Sequence, residues 1–492
     1  MATLQLENYF SVFRQHIIGN QQHFVSPTGL QRIVYADWTA TGRGYRPIEN
    51  YLQQSVLPFI GNTHTGTTVT GSTMSEAYAM AKEMIKKHVN AHADDVLLFC
   101  GSGMTAAINK LQRLLGLKHT ATNWQPADKT LRPIVFVTHM EHHSNHISWL
   151  ETIAHVEIIG MNAIGNVDIS HFHYLLEQYK DHPCKIAAVT ACSNVTGTHT
   201  PYHEIAQLIH RYGGWCFVDF ACAAPYCEIN MHPDENDAHL DAIYFSSHKF
   251  LGGPGTPGVL IFNKYIYKNK IPDQPGGGVL QYTNPWGVRD YITDIETRED
   301  SGTPPFLQGI KAAMCIRLKE EMGVGNILER EKEMLTVIFK RLTRMKSIRV
   351  LQANSTERLG VISFTVNDVH YNLFVRLLND RFGIQMRGGC SCAGTYGHRL
   401  LQVEEMQSYV IRHAIQAGDM SAKPGWVRFS IHPTMTDAEI NFILDAIEIT
   451  IANVSSWEKD YYHDKLSNEF IFTGDSICTG LQVSTWFDVK NW

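Results

Sequence analysis

This chain's pattern predicts an α/β fold: a large, doubly wound, mostly parallel sheet followed by a smaller C-terminal α+β domain. Three observations predict it. Short apolar runs that read as covered strands alternate with amphipathic helical stretches through residue 260. Nearly every such strand breaks into a turn of small or polar residues, the arrangement expected where strand ends line a ligand crevice. A length of 492 residues exceeds one ordinary domain, and a Gly- and Pro-rich stretch ending near residue 305 precedes a change in pattern.

Composition narrows the function class. The chain is 44% hydrophobic and 18% charged, with a net charge of −6 and no Lys/Arg block, so nucleic acid is not an expected partner. No stretch approaches the roughly 20 apolar residues of a bilayer span, so no membrane partner is expected either. Ten cysteines are scattered without framework spacing, and Met1 to Phe10 lacks a basic start followed by an apolar core; both point to a reducing cytoplasm. A small molecule is the expected ligand. The 25 histidines form no His-Glu-x-x-His pattern and no paired Cys-x-x-Cys accompanies them, so no metal site is expected.

Residues 1–30 read as an N-terminal arm joining the small domain. The large domain spans 31–305, the small one 306–452, and 453–492 form an extension whose aromatics lack periodicity. Ile33 to Gly42 is a short strand breaking into a small-residue turn. Asn62 to Gly71, with His64 inside it, suits a pocket-lining loop. Thr73-x-x-Glu76 reads as a capping box opening a helix. The strand Asp95 to Phe99 passes into Gly101-Ser-Gly103-Met104-Thr105 and a helix, whose free N–H groups offer a phosphate seat or form a plain turn. Ile134 to Val137 leads to Glu141-His142-His-Ser-Asn145. These neighbouring histidines point in different directions, which speaks against a metal, and a ring stacking on a planar cofactor explains at least one of them equally well. Ile186 to Val189 precedes Ser193-Asn194. Trp215 to Asp219 is an apolar strand ending in a carboxylate that needs a partner if buried, whether as a cap, in an ion pair or against a ligand. Leu240 to Phe245 runs through Ser246-Ser-His248 to Lys249 and then Gly252, Gly253 and Gly255. A lysine there is either a surface residue or an amine desolvated enough for Schiff-base chemistry.

Taken together these motifs resemble the aminotransferase class V family of pyridoxal-phosphate enzymes, within it the cysteine desulfurase and selenocysteine lyase branch. The resemblance runs from about Tyr35 to about Pro433 and rests on Glu141 to Asn145, Ser193-Asn194-Val, the Asp219 strand, Ser246 to Lys249 and Ser301-Gly-Thr303-Pro304 in the family's order. It implies fold type I of the pyridoxal-phosphate-dependent transferases. Lys249 would then hold the cofactor and move the substrate Cα proton, and Asp219 would pair with the pyridine nitrogen. His142 would stack on the ring and Asn194 bond its phenolic oxygen. Gly103, Met104, Thr105, Ser246 and His248 would hold the phosphate, with Thr303 reaching it from a second subunit of a homodimer. Arg428 matches the arginine that binds the substrate carboxylate, and His64 and Asn194 would also line the substrate space.

Cys392, downstream of Arg387, falls where the family's short-loop members carry a nucleophilic thiol. The implied reaction removes sulfur or selenium from L-cysteine or selenocysteine, giving alanine and a persulfide on Cys392 that a sulfur-acceptor protein could take up. Two departures stand out. Cys222 occupies the place of a usual cofactor-binding glutamine, and Cys390-Ser391 replaces a usual histidine pair, so Cys390 is a second candidate thiol. The alternative is a class V aminotransferase or a carbon–sulfur lyase acting on another amino acid.

Overall fold

The structure, a computed structural model, describes residues 2–63, 65–118, 132–355, 358–474 and 483–491. The chain divides into two compact units, one made of Ala40–Leu328 with Asn354–Leu359 and the other of Met1–Thr39, Glu329–Ala353 and Gly360–Trp492.

The larger unit is organised by a seven-stranded sheet of β1 (Asp95–Cys100), β2 (Ile134–Thr138), β3 (His155–Ile159), β4 (Lys185–Thr190), β5 (Trp215–Asp219), β6 (Ala242–Ser246) and β7 (Gly258–Asn263). The spatial order is β1-β7-β6-β5-β4-β2-β3. Pairing is parallel from β6 through β3, while β7 runs antiparallel to both β1 and β6. Strands β1, β2, β4 and β6 are buried at every residue, which is why they read as continuous apolar runs instead of alternating ones. The edge strand β3 is mostly half-buried. Helices of this unit include α1 (Val69–His88), α2 (Met104–Leu114), α3 (His143–Leu150), α4 (Tyr202–Arg211) and α5 (Phe306–Met322).

Two local expectations shift. Helix α1 opens at Val69, because the Thr68 side chain accepts a hydrogen bond from the Gly71 N–H at 3.3 Å; the Thr73 to Glu76 pair therefore lies inside the helix and does not cap it. Two threonines five residues apart offer the same cap, and sequence cannot choose between them. The chain pattern divides at 305/306, whereas the compact units part at 328/329. Helix α5 stays with the large unit by packing on α1, with Ala312, Ala313, Cys315 and Ile316 buried. At Gly309 a Cβ would lie 2.6 Å from the Phe99 ring, so only glycine permits that approach.

The smaller unit holds an antiparallel sheet of β8 (Ile348–Val350), β9 (Val361–Val366), β10 (Arg387–Gly389) and β11 (Trp426–Ser430), in the order β8-β9-β11-β10, with helices α6 (Tyr371–Phe382) and α7 (Asp437–Trp457). A reciprocal capping box starts α7: the Thr436 hydroxyl accepts from the Glu439 N–H at 2.9 Å, and the Glu439 carboxylate accepts from the Thr436 N–H at 3.2 Å. Residue 453 falls inside this helix. Beyond it a hairpin, Tyr461–Asp464 with Glu469–Phe472, packs Tyr461 and Phe470 on Leu373 and Leu377 of α6. Among the described residues no helix is long and apolar enough to cross a membrane.

The N-terminal helix Ala2–Arg14 joins this unit through a fully buried arginine. Arg330 donates to Asp437 at 2.7 Å and to the Met435 carbonyl at 3.1 Å, and reaches Glu333 at 3.3 Å and Glu7 at 3.5 Å. Removing a buried charge of this kind leaves carboxylates without their cation. Arg330→Met is expected to destabilise the protein by about 2–4 kcal/mol, read as a lower urea midpoint for the unfolding of this unit. An unchanged midpoint would show that the network does not hold the N-terminal helix.

Candidate active site

The sheet delivers its chemistry at the carboxyl ends of β5 and β6. Asp219 is the last residue of β5 and lies opposite Tyr244 in the register with β6. Its carboxyl is almost fully buried, and burial raises it to about 6 against the downward pull of the Ala221 N–H, 2.8 Å away, and of the Lys249 charge. Lys249 closes the short 3-10 turn Ser247–Lys249 that follows β6 and is half-buried. That turn is clamped from outside: Gly42 N–H donates to the His248 carbonyl at 2.9 Å, and a Cβ on Gly42 would sit 1.9 Å from the Phe250 carbonyl oxygen. A buried carboxylate and a partly desolvated lysine thus share one sheet edge.

Next to them a seat for an anion is assembled from three segments. The Ser246 hydroxyl accepts from the Met104 N–H at 2.9 Å, which fixes the first turn of α2 against the end of β6. Thr105 and Ser144 hydroxyls lie 2.6 Å apart. At Gly103 an added Cβ would stand 3.1 Å from the Ser246 oxygen and 3.6 Å from the His248 ring, so the absent side chain keeps this recess open. Burial, aided by Lys249, lowers His248 to about 4, which leaves a neutral ring that can donate one hydrogen bond. The N–H groups of a helix start, hydroxyls and a neutral imidazole form a donor set suited to phosphate.

His142 caps α3 by accepting the Ser144 N–H on Nδ1 at 3.1 Å, so in the neutral ring the proton sits on Nε2. Beneath it Glu141 accepts from Thr138 Oγ1 at 2.6 Å, the Thr190 N–H at 2.9 Å and the Asn145 amide at 2.7 Å, while the Tyr244 hydroxyl donates to Asn145 at 2.6 Å. Burial pushes Glu141 up to about 7 despite those bonds. Asn194 is buried in the turn after β4. The buried Cys222 thiol lies 3.8 Å from the Cys192 sulfur and 3.7 Å from the Ser193 carbonyl, on that same turn. Thr303 is exposed on a loop pinned by the Gly302 N–H to the Gly277 carbonyl at 2.8 Å, and is not among the residues this cluster gathers. His64 lies outside the described residues.

The smaller unit carries the remaining expected residues. Arg428 on β11 is directly opposite Arg387 on β10, and Asp37 relieves the like-charge pair by accepting from Arg428 at 2.7 Å and from Arg387 at 3.0 Å. After β10 the chain turns through Ser391 and Cys392, both with positive φ, 51° and 55°. Each such non-glycine residue costs about 1–2 kcal/mol. Ser391 and Ala393 on either side are buried while Cys392 is exposed and Cys390 half-buried, and the Ala393 N–H closes the turn onto the Cys390 carbonyl at 3.0 Å. The turn therefore presents one thiol outward.

Sequence reasoning assigned no role to Glu141, Asn145, Ser144 or Asp37. A carboxylate three residues after a buried strand, Glu141, was the available signal, since such a group must find donors. Nothing local marks Asp37 as the bridge between two arginines some 350 and more residues away.

The aminotransferase class-V family model matches residues 34–443. A probable cysteine desulfurase of Staphylococcus aureus is 29% identical over 367 residues, covering 74% of this chain and 84% of that protein. One from Halalkalibacterium halodurans is 28% identical over 398 residues, covering 80% and 89%. Among solved structures, the apo cysteine desulfurase of Thermococcus onnurineus NA1 superposes with a TM-score of 0.69 at 22% identity, over 86% of this chain and 95% of that one. The cysteine desulfurase CsdA of Escherichia coli gives 0.68 at 21%, over 90% and 98%. A strand order with one antiparallel member, a buried aspartate and a lysine at one sheet edge, and a family match over most of the length lead to one conclusion: this chain belongs to the aminotransferase class-V family.

Proposed function

We propose that the protein is a pyridoxal-phosphate-dependent, cysteine desulfurase-like enzyme that removes sulfur from L-cysteine, or selenium from selenocysteine. The observation that carries this reading is Cys392, held outward on a strained turn between two buried residues. The donor set fits the cofactor: an open recess at Gly103, a helix start with hydroxyls around it, and a buried carboxylate that lacks a full counter-charge.

When bound, pyridoxal phosphate supplies an electron sink for charge developing at the substrate Cα. Gly103, Met104, Thr105, Ser246 and His248 would hold its phosphate, and Thr303 of a second subunit would complete that seat in a homodimer. Asp219 would hold the proton on the pyridine nitrogen, His142 would stack on the ring, and Asn194, with Cys222 in the place of a usual glutamine, would bind the phenolic oxygen. Lys249 would tether the group and move the proton of the substrate Cα. Arg428, kept rigid by Asp37, binds the substrate carboxylate in its planar fork. The Cys392 thiolate then attacks the substrate sulfur: an S–S bond forms, the Cβ–S bond breaks, and its electron pair leaves on Cβ, which takes up a proton. Alanine and a Cys392 persulfide result, with no external oxidant. The exposed turn suits delivery of that sulfur to an acceptor protein.

A second reading, a class V aminotransferase or carbon–sulfur lyase, is favoured by one observation: Cys222 is occupied by contacts to Cys192 and Ser193. Incubating the holoenzyme with L-cysteine separates the readings. Alanine with stoichiometric protein persulfide is expected, and pyruvate with ammonia or a keto acid would overturn the desulfurase reading.

Cys392→Ser is expected to lower alanine formation by about a hundredfold or more, while the visible absorbance of the bound cofactor persists. If alanine persists and Cys390→Ser abolishes it, the acting thiol is Cys390.

Pairing with a protonated ring nitrogen requires the Asp219 carboxylate, whose raised value of about 6 places its protonation just below neutrality. Cofactor affinity should therefore fall as pH drops through about 6, and Asp219→Asn should remove that part of the fall and cut turnover by about a hundredfold or more. Equal pH slopes in the two proteins would count against the pairing.

Arg428→Lys, which keeps the charge but loses the fork, should raise KM for cysteine by about tenfold or more. An unchanged KM would remove Arg428 from the substrate site.

A further inference from the structure

At the opposite edge of the same sheet, residues that belong to no part of the cofactor site converge. His210 lies near the end of α4, and His239 and Asp241 lie just before β6. One ligand atom from each of the three falls within 4.8 Å of the others. His210 Nε2 is 2.9 Å from Asp241 Oδ2, and His239 Nε2 is 3.7 Å from Asp241 Oδ1. The two imidazoles stack with centroids 4.1 Å apart at 12°. We infer that His210, His239 and Asp241 form a binding site for one divalent transition-metal ion, with zinc the best match.

The outer contacts are those a ligand set needs. His210 Nδ1 faces the Asp237 carbonyl at 2.6 Å. A carbonyl only accepts, so Nδ1 carries the proton, and the Nε2 lone pair points at a carboxylate oxygen. Two acceptors at 2.9 Å require a cation between them, either a second proton or a metal. Asp241 is itself held, because Oδ2 accepts from the Cys216 N–H at 2.7 Å. Ligating histidines commonly donate their second nitrogen to a backbone carbonyl, and ligating carboxylates are hydrogen-bonded in turn. The loop bearing His239 is pinned along one face of α4, where His203 Nδ1 meets the Ala238 carbonyl at 2.8 Å and Gln207 donates to the Asn236 carbonyl at 3.4 Å.

Two imidazole nitrogens and one carboxylate oxygen suit zinc, with nitrogen bonds of about 2.0–2.1 Å and water in the fourth position. His210 and Asp241 side chains are 9% and 11% exposed, whereas His239 is 43% exposed, so an ion and its water have an entry side and His239 has room to turn into line. Neighbouring His232 is committed elsewhere, bonded to Asp95 at 2.6 Å and stacked on His92. The site's position at the amino end of β6 makes its role one of fastening loop to helix, separate from the chemistry at the carboxyl end.

Zinc titration of the purified holoenzyme against a chromophoric chelator tests this. Cys390→Ser/Cys392→Ser serves as the background, so that thiols on the exposed turn do not compete. One tight zinc per chain is expected, with affinity reduced at least about tenfold in His239→Ala and in His210→Gln. The ion should raise the melting temperature of the background protein and leave that of His239→Ala unchanged. His239 is a half-exposed loop residue, so its variant should keep the parent's circular dichroism. Absence of a tight zinc, or the same affinity in a folded His239→Ala, overturns the site and leaves a proton as the cation between His210 and Asp241.

Discussion

One buried carboxylate organises the working edge of the large unit. Glu141 accepts bonds from Thr138 at the end of β2, from Thr190 at the end of β4 and from Asn145 on α3, and Asn145 in turn accepts from Tyr244 on β6. A carboxylate removed from water is costly unless its lone pairs are filled, so these four segments must hold their places for the fold to tolerate it. The same condition fixes the positions of His142, one residue later, and of Lys249, five residues past Tyr244. The network thus converts a desolvation cost into geometric precision for side chains it does not itself include.

Asp219 sits in the same dry layer under a different rule. It has one described backbone donor and the charge of Lys249. Where Glu141 is filled by the protein, Asp219 is left under-compensated, and burial raises both. An under-compensated buried acid binds a cation strongly when one is offered, which is the property a site for a protonated ring nitrogen needs. The smaller unit stores its cost in backbone instead. Two consecutive left-handed residues, Ser391 and Cys392, are tolerated because Ala393 is buried and its N–H closes the turn.

Much of this was legible in the chain, and the reason is periodicity. Strands buried on both faces must be apolar throughout, so β1, β2, β4 and β6 announce themselves, and the residues at their carboxyl ends follow. Asp219, Lys249, Ser246 and Gly103 come together as their positions at strand ends imply. What escaped depends on long-range pairing. Asp37 bridges Arg387 and Arg428 only because β10 and β11 set the two arginines opposite each other, a register no local pattern encodes. Helix α5 lies in the large unit because Gly309 lets it approach Phe99, a fit between surfaces far apart in sequence. The histidine site was invisible for the same reason: His210 and His239 are brought together by α4 folding back along the loop, and no short motif spans them.

The two ends of β6 therefore carry opposite kinds of chemistry on one rigid element. Its five residues, spanning roughly 17 Å, are all buried, with Ala242, Ile243, Tyr244 and Phe245 fully so. Across that length direct Coulomb coupling between the Asp241 and Lys249 ends is about 1 kcal/mol at an effective dielectric of about 20, small beside the burial and hydrogen bonding at each end. A larger influence of a cation at His210 on the cofactor end would act through the position of the strand. The strand is hydrogen-bonded on both sides, to β5 and β7, so such displacement is resisted. Fastening the loop before β6 then acts on the stability of the large unit and leaves the placement of Lys249 to the network around Glu141.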